Sequence, residues 1–331
     1  MFDQFSKQIN EFGNSFLDAL SQIQGFFGKE LDVATPIKNS ILDMVGNTPL
    51  IRLNHVASHI QGFEYYLKAE FQNPTGSLRD RSAIAMIRDA FARGKLTKNS
   101  TILIHGATSS SVSMAWAGRT MGYRVKCFIP ESTSQEWQQK LSHYGAELVK
   151  VSHDPVSILL RESLQPGTWY PNETANMANP NHHFSRTGPE IYRDLKGKVD
   201  CFVTGGGTGA TVTGIGRFFK SFRSGVDTKI ILAGWKDSLF DQYFNGGREN
   251  IRLPEIFDPK VVDRFISVTT DEAMRCQSDL LVQEGIPVGI TTGMILCAAI
   301  RYGESLASDA SENKALPGEK KNLVLLSPDR E

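Results

Sequence analysis

The sequence predicts an α/β protein with mostly parallel sheets. Short apolar runs rich in Val, Ile, Leu and aromatic residues recur between Phe63 and Leu326, as in strands buried on both faces. Helical patterns separate these runs, and strand–helix alternation implies crossover connections. The length of 331 residues suggests roughly two domains.

Residues 1–30 have a pattern of their own. Phe2, Phe5, Ile9, Phe12, Phe16, Ala19, Ile23 and Phe26 recur in steps of three and four, which is a helical apolar stripe. Gly13 and Gly25 weaken it, and Asp3, Glu11, Asp18 and Glu30 outnumber Lys7 and Lys29. A slightly acidic helix does not favour an anionic lipid surface. The stripe is expected to pack on the protein's own body, on a second subunit or on a protein partner. Residues 1–40 are therefore read as an N-terminal amphipathic extension and linker, with Pro36 in the linker.

The expected strands are Phe63–Ala69, Thr101–His105, Arg124–Ile129, Leu148–Val151, Cys201–Thr204, Lys229–Ala233 and Leu323–Leu326. The helical patterns are Arg81–Arg93, Val112–Met121, Gln135–Tyr144, Pro189–Leu195, Val212–Phe222, Asp271–Glu284 and Met294–Leu306. Residues 307–321 read as a polar loop.

Lysine plus arginine number 36, as do aspartate plus glutamate. Zero net charge argues against nucleic-acid binding, which wants a broad basic surface. It leaves a small charged ligand open, because a pocket needs only local charge. No run of eighteen apolar residues suggests a membrane span, and residues 1–30 lack the signal-peptide pattern. A cytoplasmic location is expected, with signal-independent export left open. The four cysteines, Cys127, Cys201, Cys276 and Cys297, form no CxxC pair or zinc-spaced cluster, so no metal is expected. They read as small buried hydrophobes.

Two loops have chemistry of their own. Gly205-Gly206-Gly207-Thr208-Gly209-Ala210-Thr211 follows a strand and opens a helix. Its backbone amides and the helix N-terminus make a cradle for a phosphate or another anion. It is neither a Walker loop nor a Rossmann fingerprint. Thr108-Ser109-Ser110-Ser111 opens another helix; hydroxyls there suit a carboxylate or simply cap the helix. A third junction, Asn73 to Arg81, starts a helix after a turn.

At these loops the chain resembles the cysteine synthase and cystathionine β-synthase family, the fold-type II pyridoxal-phosphate (PLP) enzymes. The motifs are Gly46-Asn47-Thr48-Pro49-Leu50, Glu70 to Ser77, Thr187 to Ile191, Gly207 to Thr211, Glu284-Gly285-Ile286 and Gly289 to Gly293. The likeness runs in order over roughly residues 41–330. It implies two αβα three-layer domains with a cleft between them, as in the tryptophan synthase β chain. The smaller domain would be 73–185 and the larger 41–72 plus 186–331. The family usually forms homodimers.

The departures lie at cofactor contacts. The family's Schiff-base lysine position is Arg79, and a guanidinium stays protonated and is a poor nucleophile. The family's ring-contacting Asn is Ser111, and the loop's last glycine is Ser113. The serine on the pyridine nitrogen is Arg330, and the substrate-side Gln is Glu173 in Glu173-Thr174-Ala175-Asn176. Lys68 is the alternative amine. These changes imply no covalent PLP, with non-covalent PLP left open. The first reading is a cysteine-synthase-like protein repurposed to bind a small anion or a protein partner. There Gly207–Thr211 and Arg79 hold the anion, and Arg79 and Arg330 place two cations in the cleft. The alternatives are a β-replacement or β-elimination enzyme on a serine-derived amino acid with non-covalent PLP, and a non-PLP reaction in the same cleft. His105, His143, His153, His182 and His183 read as structural.

Overall fold

The computed structural model describes residues 37–221, 227–247, 251–308 and 320–330. The Phe-rich stripe, most of the linker and most of the 307–321 loop lie outside the described residues.

Among the described residues, ten strands form two sheets. The larger is built from β1 (Leu50–Leu53), β2 (Phe63–Ala69), β7 (Cys201–Gly205), β8 (Lys229–Trp235), β9 (Arg264–Val268) and β10 (Lys321–Ser327). Its order is β1-β2-β10-β7-β8-β9. Only β1 runs antiparallel to its neighbour. The smaller sheet contains β3 (Thr101–His105), β4 (Arg124–Pro130), β5 (Glu147–Val151) and β6 (Thr168–Trp169). It is parallel throughout, in the order β5-β4-β3-β6.

Side chains alternate between two cores on each sheet, as the pleat requires. Leu323 and Leu325 of β10 enter one cluster, Val324 and Leu326 another. The first cluster is closed by α9 (Thr270–Glu284) and α10 (Ile290–Ser308), the second by α6 (Gly188–Asp194), α7 (Ala210–Ser221) and α8 (Leu239–Asn245). In the smaller sheet Ile102 and Ile104 face α1 (Arg79–Ala92), α2 (Ser109–Thr120) and α3 (Gln135–His143), while Leu103 faces α4 (Pro155–Glu162). Helices thus cover both faces of each sheet. That is why the strands read as continuous apolar runs rather than alternating ones. A short helix, α5 (Ala178–His182), leads through a wide turn into α6.

All seven expected strands form. The structure adds β1, β6 and β9, which lie at sheet edges. Their half-exposed side chains dilute the apolar run that signals a buried strand. It also adds α4, α5 and α8, which are short and leave little periodicity to read. Four helices start two or more residues earlier than their apolar patterns: α1 at Arg79, α2 at Ser109, α7 at Ala210 and α10 at Ile290. Their first turns hold polar or small residues, which the apolar periodicity does not mark. Among the described residues, no helix is long and apolar enough to cross a membrane.

Candidate functional site

The glycine loop sits where β7 gives way to α7. Gly207 and Gly209 have φ of +118° and +77°, a region that disfavours any side chain. A Cβ on Gly209 would also lie 2.7 Å from Phe257. The backbone can fold this tightly only with glycine, and the fold turns it toward the N-terminus of a twelve-residue helix. Such an end carries partial positive charge and free amides. Thr211 is braced from behind by His183. The His183 ring is buried, with Nδ1 2.9 Å from Thr187 Oγ1 and Nε2 3.5 Å from Thr211 Oγ1. Burial first, then His182, Arg81 and Arg79, push this histidine well below its ordinary pKa. It is a neutral support, in keeping with the structural role expected of it.

A cavity of about 380 Å³ opens in front of the loop, lined by Arg79, Gly205, Gly206, Gly207, Thr211 and Asp329 among others. Thr208, Gly209 and Ala210 shape the turn behind it. A wider opening of about 800 Å³ lies at the other end of the large sheet, among Cys201, Lys229, Arg264 and Lys321 at the strand starts. Ligands of parallel α/β sheets bind at the carboxyl ends of the strands, so the 380 Å³ cavity is the candidate site.

Two arginines in the first turn of α1 contrast sharply. Arg81 is 1% exposed and gripped on both sides. Its Nε and Nη2 donate to Glu70 at 2.6 and 2.9 Å, and its Nη1 and Nη2 donate to Glu190 at 2.8 and 2.7 Å. Burial would raise the Glu190 carboxyl, but Arg81 and Lys68 outweigh it and hold it at about 2. Arg79 is half-buried and makes no ion pair within 4.0 Å among the described residues. A Cβ built on Gly207 would stand 3.3 Å from its Nη2, so the guanidinium lies beside the glycine loop.

Lys68 does not reach this cavity. It is fully buried on β2, its Nζ donating to the Thr48 carbonyl at 2.7 Å and lying 3.3 Å from Glu190 and 3.4 Å from Asp194. It is committed to the buried network around Arg81.

Arg330 is also elsewhere. Its guanidinium stacks 5.1 Å from the Phe71 ring centroid, and the residue is exposed. This corrects the expectation of a second cation in the cleft. Ser77 and Asp329 form an antiparallel bridge, and successive side chains on an extended strand point opposite ways. Asp329 turns inward and Arg330 outward. Burial raises the Asp329 carboxyl above the ordinary range, while Arg79, Ser109 and Lys140 pull it back only in part. Sequence reasoning missed this residue, although it adjoins Arg330, the position the resemblance singled out.

The hydroxyl turn opens the other side of the cleft. Thr108 caps α2, accepting from the Ser111 amide at 3.2 Å. Ser109 Oγ donates to Asp329 Oδ2 at 3.4 Å, Ser110 Oγ donates to Glu173 Oε2, and Ser111 Oγ donates to the His105 carbonyl at 2.9 Å. A pocket of only about 30 Å³ remains there, among Ser110, Ser111, Tyr170 and Glu173. His105 Nε2 lies 3.3 Å from Tyr170 Oη. The sequence noted Glu173 as a lost glutamine; the structure shows its carboxylate closing the turn. The expected site residues thus divide. Arg79, Gly207 and Thr211 line one cavity, Ser110 and Ser111 the other, and Ser109 and Asp329 join them.

Known proteins place this geometry in a class. The model of the family described as "Pyridoxal-phosphate dependent enzyme" matches residues 41–316. The chain therefore belongs to the pyridoxal-phosphate dependent enzyme family. Within it, the likeness is to cysteine synthases and cystathionine β-synthases. A cysteine synthase of Staphylococcus aureus is 30% identical over 300 residues, 85% of this chain and 94% of that protein. A cystathionine β-synthase of Apis mellifera is 31% identical over 315 residues, 89% of this chain. The chain spans only 60% of that relative's length. A hydrogen sulfide-producing enzyme from Fusobacterium nucleatum superposes with a TM-score of 0.78 at 26% identity, covering 89% of this chain and 97% of that one. O-ureido-L-serine synthase gives 0.76 at 28% identity, covering 89% and 92%.

The cleft fits the cofactor at one end only. The glycine cradle and the Arg79 guanidinium suit a phosphate dianion. Among the described residues lining the cavity around Arg79 there is no lysine, and Lys68 is held elsewhere.

Proposed function

We propose that this chain is a PLP-dependent enzyme of the β-replacement or β-elimination type, acting on a serine-derived amino acid and holding its cofactor without a covalent bond. One observation carries the reading. The family's glycine loop, present as Gly207-Thr208-Gly209-Ala210-Thr211, opens α7 onto a cavity of about 380 Å³. The relatives, named for making cysteine, cystathionine, O-ureido-L-serine or hydrogen sulfide, support the substrate class.

When bound, PLP supplies the electron sink for breaking bonds at the amino-acid α and β carbons. The chain's part is binding and proton handling. Amides of Gly207–Thr211 hold the phosphate, and Arg79 adds a fixed cation beside them. Ser109 and Asp329 face the reacting region together. A carboxyl with a raised pKa can hold a proton at Oδ2 and exchange it with bound substrate. Without a lysine amine, proton transfer and product release slow, so turnover is low. Homodimerisation, implied by the family, is part of the proposal and is read by sedimentation.

The test is turnover of O-acetylserine, O-phosphoserine or serine with sulfide, PLP supplied. Turnover that disappears in Gly209→Val supports the reading. No turnover with any of the three, under conditions where PLP binds, overturns it.

The unpaired Arg79 favours a second reading, a repurposed anion-binding protein. A permanent guanidinium next to a glycine cradle binds phosphate or sulfate with no chemistry to follow. Calorimetry with inorganic phosphate tests it. Saturable binding with no amino-acid turnover is its signature, and the absence of phosphate binding removes it.

A further inference from the structure

The candidate cavity holds two opposite charges that do not pair. Arg79 lies beside the glycine loop, and Asp329 lines the same cavity of about 380 Å³. Both stand on one piece of tied backbone. Ser77 bridges to Asp329, and the Leu78 amide donates to the Pro328 carbonyl at 2.7 Å. The start of α1 is thereby joined to the chain that follows β10. Among the described residues, neither side chain makes an ion pair within 4.0 Å.

The Asp329 carboxylate is held in place without being neutralised. Its Oδ2 accepts from Ser109 at 3.4 Å, and its Oδ1 rests against Gly289, where a Cβ would stand 3.1 Å away. The Gly289 amide donates to the Asp329 backbone carbonyl at 3.2 Å and fixes the residue further. Among the described residues, no donor reaches Oδ1. Ser110, the next residue of α2, donates to Glu173. The cleft is therefore cationic at the glycine loop and acidic at the start of α2.

We propose that this cavity takes a phosphate ester carrying a protonated amine, with its phosphate on the glycine loop and Arg79 and its ammonium on Asp329. The inference rests on the anion-binding reading and narrows its ligand from any anion to an aminated phosphate. A bare phosphate leaves Asp329 facing a second negative charge, and like charges set close together cost affinity. An ammonium removes that repulsion and adds a charge-assisted hydrogen bond. Trp235, Phe240, Met294 and Ile295 line the same cavity and suit the carbon body between the two charges. Small-ligand sites join apolar walls to a few placed polar groups in this way.

The electrostatics agree. Burial pushes the Asp329 carboxyl up, and Arg79, Ser109 and Lys140 pull it back only in part. A bound ammonium acts in the same direction as these cations, so ligand binding and ionisation of Asp329 support each other.

The experiment is calorimetry on the full-length chain with two probes of one shape. Pyridoxamine phosphate carries a primary amine where pyridoxine phosphate carries a hydroxyl. Phosphoethanolamine against ethyl phosphate repeats the comparison without the ring, and inorganic phosphate is titrated alongside. In both pairs the amine should bind about 10-fold tighter or more, the worth of a hydrogen bond to a charged group. Asp329→Asn, checked for folding by its melting temperature, should bring each pair to within about twofold. If inorganic phosphate and the esters bind but the amine gains nothing, the proposal falls and the anion-binding reading stands. If none of the five binds, both fall. A preference for the amine that survives in Asp329→Asn also overturns the proposal.

Discussion

The two ends of the cleft are built alike and charged oppositely. Each is a polar turn at the carboxyl end of a parallel strand, opening a twelve-residue helix. At the β7 end the turn is glycine, the cavity is about 380 Å³, and the nearest side-chain charge is the unpaired Arg79 cation. At the β3 end the turn is serine, the cavity is about 30 Å³, and the helix start is met by the protein's own Glu173 carboxylate. The same helix-terminus physics thus offers an open anion site at one end and a self-filled one at the other. On the proposed function, a ligand is received by its phosphate more readily than by its carboxylate.

The harshest change is to the buried ion-pair network under the first turn of α1. Arg81→Leu strips Glu70 of its buried counter-charge and leaves Glu190 with Lys68 alone. Stripping one partner from a buried pair costs about 3–5 kcal/mol. Urea unfolding should show that loss, with phosphate affinity vanishing only as the fold does. Next, Arg79→Gln should weaken inorganic phosphate binding by about 10–100-fold, the worth of a charge-assisted hydrogen bond. Calorimetry reads it, and the melting temperature should barely move. Opposite in sign, Glu173→Gln should strengthen binding of amino-acid carboxylates by about tenfold, on the order of 1.4 kcal/mol. A competition series with serine and its esters separates that gain from a general effect.

The smallest effect is in pH. The Asp329 carboxyl is raised in the folded chain. Between the ordinary aspartate value and this higher one, the folded state keeps a proton that the unfolded state has released. Stability therefore falls as pH rises through that window. Phosphate affinity falls with it, because an ionised Asp329 competes for Arg79. Asp329→Asn should flatten both slopes, measured by melting and calorimetry at about pH 5 and about pH 8.

The open end was legible in the sequence and the closed end was not. Gly207 and Gly209 announce themselves because a chain needing positive φ has one residue to use, and Arg79 follows from the family resemblance, which puts it at the Schiff-base lysine position. The buried strands were equally plain, since burial on both faces leaves only apolar residues. Glu173 lies 63 residues from Ser110, and no local pattern joins them. Arg330 and Asp329 are adjacent, so the sequence alone could not say which points inward; the bridge to Ser77 decides it. Lys68 reads as an available amine until Glu190 and Asp194 are seen around it. Charge pairing over long separations is what one-dimensional reading loses.

The central claim is that the glycine-loop end holds PLP through its phosphate alone. The direct measurement is titration of the purified chain with PLP, followed by borohydride reduction and peptide mass mapping. The account predicts saturable binding that Gly209→Val abolishes, and no reduced pyridoxyl group on any peptide. A pyridoxyl-lysine in the map, on Lys68 or any other lysine, or no saturable binding at all, would contradict it.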